Sequence, residues 1–289
     1  PPLAKHHQTL VNWQGAHVLV VEDNPVNQIL ALEQLQRLGC SVHLCANGAQ
    51  AIETCRAARF DLILMDCQMP VMDGFEATRR IIAEHSGAAP CPIVAMTANA
   101  MRGDRESCLG AGMVDFLAKP YRSTDLIAML TRWLRSPMTS QVAPAPLDTA
   151  STVGAMDEAT QRSTLPPILD TEVLVALANQ HSGGKALLTR VASVFKNEAG
   201  KQLESLQRAW TTGDINTAAR AAHTLKSSSA TLGAMRLSAH CHKIESALRA
   251  GEHTHVERWT NEASATCEDT LRALDEALAH MNGKTDQHA

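Results

Sequence analysis

Aromatic side chains are scarce: Phe, Trp and Tyr together make up 3% of the 289 residues, with a single Tyr. A core must therefore be built from Leu, Ile, Val, Ala and Met. Long apolar runs are missing too. No stretch approaches the ~20 consecutive apolar residues that a membrane helix needs, so no membrane contact is expected of this segment. Positive charge is not in excess, with 26 Lys and Arg against 30 Asp and Glu and a formal net charge of -4. A nucleic-acid binder needs a basic patch to displace counterions, so no nucleic-acid partner is expected. The eight cysteines include no Cys-x-x-Cys pair and show no regular spacing. That argues against a disulfide framework and for reduced thiols in the cytoplasm. The opening Pro1-Pro2-Leu3-Ala4-Lys5 lacks the layout of a signal peptide and an initiator Met.

What is present changes texture along the chain. After a leader over 1–16, residues 17–135 alternate short β-like runs with helical stretches. Residues 136–167 are rich in Ser, Thr, Pro and Ala and read as a flexible linker. Residues 168–282 carry only helical patterning, and 283–289 form a tail. In the first region, His17–Val21, Ser41–Cys45, Asp61–Asp66, Pro92–Met96 and Met113–Leu117 read as strands, each followed by a helical pattern. The third is apolar on both faces, as in a parallel sheet covered by helices. Five βα units imply an α/β doubly wound, five-stranded parallel sheet of flavodoxin-like type. In the second region, Asp170 stands as an N-cap. Helical stretches near 185–212, 214–232, 235–250 and 252–281, broken by Gly213, Gly233 and Gly251, suggest an all-α four-helix bundle.

Ligands of an open α/β sheet bind outside the carboxyl ends of its strands. Glu22 and Asp23 close the first strand and Asp66 the third; Thr97 follows the fourth and Lys119 the fifth. Apolar strands have no packing use for this set. Converging carboxylates make a hard-oxygen site suited to Mg²⁺, and a cation there neutralises charge on a transferring phosphoryl group. A Lys and a Thr hydroxyl can hold its remaining oxygens. The combination suits attack by a carboxylate on phosphorus, giving an acyl phosphate.

Val20-Val21-Glu22-Asp23-Asn24, Met65-Asp66-Cys67-Gln68-Met69-Pro70-Val71-Met72-Asp73-Gly74, Met96-Thr97-Ala98-Asn99-Ala100 and Lys119-Pro120 resemble the receiver domain of two-component signalling, in the form found in hybrid sensor kinases. The resemblance covers about 17–135. It implies that Asp66 is the phosphoacceptor and that Glu22, Asp23, Asp66 and the backbone carbonyl of Gln68 arrange Mg²⁺. It also implies that Thr97 and Lys119 bind phosphoryl oxygens, that Phe116 is the switch aromatic and that Lys119-Pro120 is cis.

On a helical wheel of ~100° per residue, Ala218, Ala222, Leu225, Ser229 and Leu232 share the bundle-facing stripe. His223 lies roughly 140° from its centre and is expected to face solvent beside Ala219, Lys226, Ser227 and Ala230. A neutral imidazole nitrogen can attack phosphorus, and the Lys226 ammonium at i+3 can balance phosphate charge. Ala222-His223-Thr224-Leu225-Lys226-Ser227-Ser228-Ser229-Ala230 resembles the signature of histidine-phosphotransfer (Hpt) domains, with Ser227 where members often have Gly. That resemblance covers about 168–281 and implies a phosphorylated His223.

His240-Cys241-His242 and His253-Thr254-His255 read as surface histidines, because i,i+2 residues of a helix point apart. Gly183-Gly184-Lys185 follows no strand and lacks phosphate-loop spacing. By resemblance the chain is the C-terminal part of a hybrid sensor histidine kinase, itself anchored in the inner membrane. Asp66 would accept a phosphoryl group from a histidine kinase core, in the same parent chain or in trans, and pass it to His223. His223 would then donate it to a downstream response regulator receiver. No ATP-binding kinase core is present in these residues. In a rival reading, the receiver is a phosphorylation-gated binding module and His223 a sink or a reverse-transfer site. A third, a carboxylate-based hydrolase, lacks a second Asp where Gln68 stands.

Overall fold

The computed structural model describes residues 12–85, 87, 89–97, 102–134, 166–179 and 183–283. Residues 1–11 of the leader with His6-His7, Ala98-Asn99-Ala100, nearly all of the 136–167 linker and residues 284–289 of the tail lie outside the described residues, whereas Trp13 at the end of the leader is buried in the core of the sheet domain.

The first region folds as β1 (His17–Val21), α1 (Pro25–Arg37), β2 (Ser41–Cys45), α2 (Gly48–Ala57), β3 (Leu62–Asp66), α3 (Gly74–Glu84), β4 (Ile93–Thr97), α4 (Arg102–Gly110), β5 (Asp115–Ala118) and α5 (Ser123–Trp133). All strand pairs are parallel, in the order β2-β1-β3-β4-β5. This is the doubly wound sheet expected from the sequence. The fifth strand starts two residues later than its expected bound, because Met113 is still in the turn after α4, its N–H bonded to the Cys108 carbonyl.

Alternation along the strands divides the core in two. Leu19, Val21, Ile63, Met65, Ile93 and Ala95 join α2, α3 and α4 on one face. Val18, Val20, Leu62, Leu64, Val94 and Met96 join α1 and α5 on the other. Aliphatic and sulfur side chains dominate both layers, as the shortage of aromatics requires. The helices start where capping side chains stand: Asn24, Asn47 and Asp73 accept backbone N–H groups of α1, α2 and α3.

The second region comprises α6 (Thr171–Asn179), α7 (Gly184–Thr212), α8 (Ile215–Thr231), α9 (Met235–Ala250) and α10 (Val256–Gly283). Helices α7, α8, α9 and α10 each touch the next, and α10 returns to α7, closing a four-helix bundle with α6 against α7. Asp170 caps α6 through the Glu172 N–H at 3.0 Å, and Asp214 caps α8 through the Thr217 N–H at 3.0 Å. The bundle core does not stop at the bundle. Val26 and Leu30 of α1 belong to the same apolar cluster, with Ile29 packed against it. The two regions are therefore docked, with α1 of the sheet domain against α7 and α8.

Gly74 starts α3 directly beneath the end of β3. A Cβ there would lie 2.1 Å from the backbone oxygen of Asp66, and backbone cannot yield as a side-chain tip can. Gly74→Ala should lower the urea-unfolding stability of the sheet domain by about 1–3 kcal/mol. An unchanged midpoint would show that α3 does not need this approach.

Candidate functional site

The strand ends bring together what the sequence expected there. Glu22, Asp23 and Asp66 each offer a carboxylate oxygen within 4.8 Å of the others. Lys119 reaches them from the loop after β5, its Nζ 2.6 Å from Glu22 Oε2 and 2.7 Å from Asp66 Oδ2. The Lys119–Pro120 bond is cis. Glu22 and Asp66 are buried, and Thr97 is buried at the end of β4. The Lys119 N–H bonds to the Thr97 carbonyl at 2.7 Å, which fixes the two loops together. Gln68 donates its N–H to Asp66 Oδ1 at 3.2 Å. Phe116 sits partly buried, packed against the core layer of α2, α3 and α4.

The electrostatics follow from burial. Asp66 is pushed up from the ordinary carboxylate range, first by loss of water and then by Glu22 and Asp23; Lys119 opposes this and does not prevail. Burial and Glu22 push Asp23 up to about 6. Burial alone would lower Lys119, yet its two carboxylate partners hold it above its ordinary value. Both members of the Asp66–Lys119 pair thus shift upward. The asymmetry has a simple source: three acids share one ammonium, so an added cation is favoured. Clustered hard oxygens fit Mg²⁺.

The helical site differs from its expectation. His223 is 8% exposed and Ala219 is buried. The wheel places His223 away from the stripe of its own bundle, but two other surfaces cover it. Glu245 of α9 reaches across, its Oε1 2.8 Å from His223 Nδ1. Helix α1 of the sheet domain lies over the same face of α8. Asn24 Nδ2 donates to the Thr224 carbonyl at 3.1 Å, and Asn27 Nδ2 donates to Ser227 Oγ at 2.9 Å. Because a carboxylate only accepts, His223 Nδ1 carries a hydrogen directed at Glu245.

Glu245 went unread in the sequence. Its Oε2 accepts from Lys226 Nζ at 2.6 Å, and Oε1 lies 2.7 Å from an Arg249 nitrogen. Arg249 also donates to Gln68 Oε1 at 2.8 Å, two residues beyond Asp66. The signal was a carboxylate on the buried side of α9, among Leu237, Cys241, Ile244 and Leu248, where an acid requires partners. Burial pushes the Glu245 carboxyl up, but hydrogen bonds and charge from His223 and Lys226 outweigh this and hold it near about 2.

His240 is a second correction. It is buried rather than on the surface, because its ring turns into the bundle with Nδ1 3.6 Å from Glu262 Oε2. His242, His253 and His255 are exposed as expected. Gly183-Gly184-Lys185 opens α7. Among the described residues, Glu22, Asp23 and Asp66 are the one acid, His and Cys grouping that could hold a metal.

Residues 18–131 match the response regulator receiver domain family, and residues 190–283 match the Hpt domain family. The sensor protein GacS of Pseudomonas syringae pv. syringae is 29% identical over 94% of this chain, which covers 27% of GacS. The signal transduction histidine-protein kinase BarA of Escherichia coli is 44% identical over 40% of this chain and 12% of BarA. The crystallised receiver domain of a Pseudomonas aeruginosa sensor histidine kinase, with magnesium in its active-site cleft, is 51% identical. That match covers 41% of this chain and 97% of the receiver, with a TM-score of 0.38. The chain thus spans only a fraction of the length of GacS and BarA.

Glu245→Gln should cost the helical domain about 1–3 kcal/mol, since Lys226 loses its charged partner. A carboxylate held below its ordinary 4.5 stabilises the fold fully above that value, and the contribution disappears as pH falls through about 2. Urea unfolding of both proteins should therefore show a gap near neutral pH that closes on acidification. A gap of constant size would contradict the pairing.

Proposed function

Residues 18–131 belong to the response regulator receiver family and residues 190–283 to the Hpt family, and on that premise we propose that this chain is the two-station segment of a hybrid sensor histidine kinase phosphorelay. Asp66 is its first station and His223 its second. A carboxylate oxygen of Asp66 attacks the phosphorus of a kinase phosphohistidine; the P–O bond forms, the P–N bond breaks and the imidazole leaves. His223 Nε2 then attacks the acyl phosphate, forming a P–N bond and releasing the Asp66 carboxylate. A downstream receiver takes the group from His223 by the same exchange.

The observation that carries this reading is the register of the docked domains. Asn24, one residue past Asp23, bonds to the carbonyl of Thr224, one residue past His223. The histidine helix therefore lies over the acidic strand ends. On the receiver side, Lys119 already holds Asp66 and has the charge to hold a phosphoryl oxygen, with Thr97 supplying a hydroxyl. On the helical side, the Nδ1 hydrogen rests on Glu245, which leaves Nε2 as the nucleophile. Phosphorylated imidazole keeps that hydrogen and carries positive charge, which Glu245 offsets; the Lys226 ammonium balances the phosphoryl group. Phe116 would follow the phosphorylation state of the strand ends.

Glu22, Asp23, Asp66 and the Gln68 carbonyl would hold Mg²⁺, which when bound neutralises charge on the transferring group. The free state of all eight cysteines suits the cytoplasm. No helix among the described residues is long and apolar enough to cross a membrane. The coverage of His223 also suits a second reading, in which the receiver is a gated docking module and the histidine a sink. Signalling output that survives His223→Gln but not Asp66→Asn would favour it.

Acetyl phosphate with Mg²⁺ tests the main reading. The wild-type chain should acquire a base-labile label on Asp66 and an acid-labile label on His223. His223→Gln should keep the first, Asp66→Asn should lose both, and chelation of the metal should abolish labelling. An Asp66→Asn chain that labels His223 as well as wild type would overturn the order of transfer.

A further inference from the structure

Helix α4 is lightly seated on the sheet. Its sequence, Arg102-Gly103-Asp104-Arg105-Glu106-Ser107-Cys108-Leu109-Gly110, is mostly polar. Among residues 105–110, whose side chains are described, Cys108 alone is buried, and Leu109 is half exposed. By contrast α1, α2, α3 and α5 each bury three or more residues. Cys108 meets a second thiol. Its Sγ lies 3.9 Å from Sγ of Cys67, the residue that follows Asp66. Both belong to the apolar layer of Leu19, Ile63, Met65 and Ile81. Two small hydrophobes would fill this space as well without sulfur. Two thiols in contact add a reaction that no other pair of small side chains has.

The main chain carries any change at this contact to the loops around Asp66. The Cys67 N–H bonds to the Met96 carbonyl at 3.1 Å, one residue before Thr97, and the Cys67 carbonyl accepts from the Gly74 N–H at 3.2 Å. The Cys108 carbonyl accepts from the Met113 N–H at 3.0 Å, in the turn that leads into β5 and Phe116. The two sulfurs thus join the strand end that carries Asp66 to the turn before β5.

We propose that Cys67 and Cys108 form a redox modification site, in which hydrogen peroxide joins the two sulfurs and the resulting disulfide slows phosphorylation of Asp66. The slowing rests on the reading of Asp66 as phosphoacceptor; the bond itself does not. Both thiols are shielded while α4 is seated, and buried thiols react slowly. A helix held by so few buried side chains lifts at low cost, and peroxide then reaches Cys108. The thiol reduces it: an S–O bond forms, the O–O bond breaks and water leaves. When α4 seats again, the Cys67 sulfur attacks the sulfenic sulfur. The S–S bond forms, the S–O bond breaks, and the hydroxide leaves with the Cys67 proton as a second water. Two thiols have lost two hydrogens and one peroxide has become two waters. A dithiol reductant reverses the bond by exchange. Bonding brings the sulfurs closer than contact, which draws α4 onto the end of β3 and fixes it there. A phosphoryl group on Asp66 has to be met by Thr97 and Lys119, so the ends of β4 and β5 must adjust. Both ends are tied to the two cysteines, and the disulfide removes that freedom.

The test uses the full chain carrying His223→Gln, so that label stays on Asp66. The chain is treated with hydrogen peroxide, the remaining thiols are blocked, and its peptides are read by mass spectrometry. A linked Cys67–Cys108 peptide should be the main disulfide, and dithiothreitol should remove it. Acetyl phosphate with Mg²⁺ should label Asp66 about tenfold more slowly in the oxidised chain than in the reduced one, and dithiothreitol should restore the rate. Cys108→Ala and Cys108→Val, each added to the same chain, should keep the reduced rate before and after peroxide. They separate the disulfide from methionine oxidation, and the second keeps α4 anchored if the first loosens it. A chain that forms no Cys67–Cys108 bond, or forms it with labelling unchanged, would overturn the proposal. So would an equal loss of labelling in both Cys108 variants after peroxide. If the reduced chain takes no label on Asp66, the phosphoacceptor reading fails, and the peptide map still decides whether the two sulfurs join.

Discussion

One ammonium group holds the receiver site together. Lys119 Nζ lies between Glu22 and Asp66, and without it two buried acids and the partly buried Asp23 would face one another with little screening by water. The contact reaches across the whole sheet edge. Glu22 comes from the end of β1, Asp66 from the end of β3, and Lys119 from the loop after β5. The same Glu22 accepts from Asn24 and Asn27 at the start of α1. The placement of α1, and with it the surface on which the bundle docks, is thus linked to the charge balance of the acidic site. One cation against three carboxylates leaves the site short of positive charge, which is the state that a divalent ion and a phosphoryl group together would complete.

Glu245 plays the matching part on the helical side. It gathers His223, Lys226 and Arg249 around one carboxylate, and Arg249 extends to Gln68 beside Asp66. A buried carboxylate with three cationic or hydrogen-bonding partners is rigid because each alternative leaves one of them unpaired. The imidazole is thereby held in one orientation, with Nδ1 on Glu245. Both sites follow one design: a buried acid, a lysine within 3 Å, and a polar link across the seam.

The receiver was legible because its chemistry is local to strand ends. In an open parallel sheet the ends converge by topology, so Glu22, Asp23, Asp66, Thr97 and Lys119 could be assembled from the order of the strands alone. His223 was legible as a residue and not as an environment. A helical wheel knows only the stripe of its own helix, and the partners of this face are Glu245 on α9 and helix α1, nearly two hundred positions earlier. Glu245 stands twenty-two residues beyond His223 and looked like one more acid on an amphipathic helix. Ser227 showed in the sequence only as a small residue. Its hydrogen bond with Asn27 was not legible, because no periodicity connects the two. The burial of His240 was missed for a related reason, since spacing on one helix does not report the neighbouring helix that receives the ring.

Transfer within one chain requires the two domains to dock on each other, as α1 does on the histidine helix. The most direct measurement is the rate at which label moves from Asp66 to His223 in the full wild-type chain, followed over about a hundredfold range of protein concentration. Docking within the chain predicts a first-order rate that does not change with concentration. A rate that rises in proportion to concentration would mean that the stations meet only between molecules, and would contradict the account.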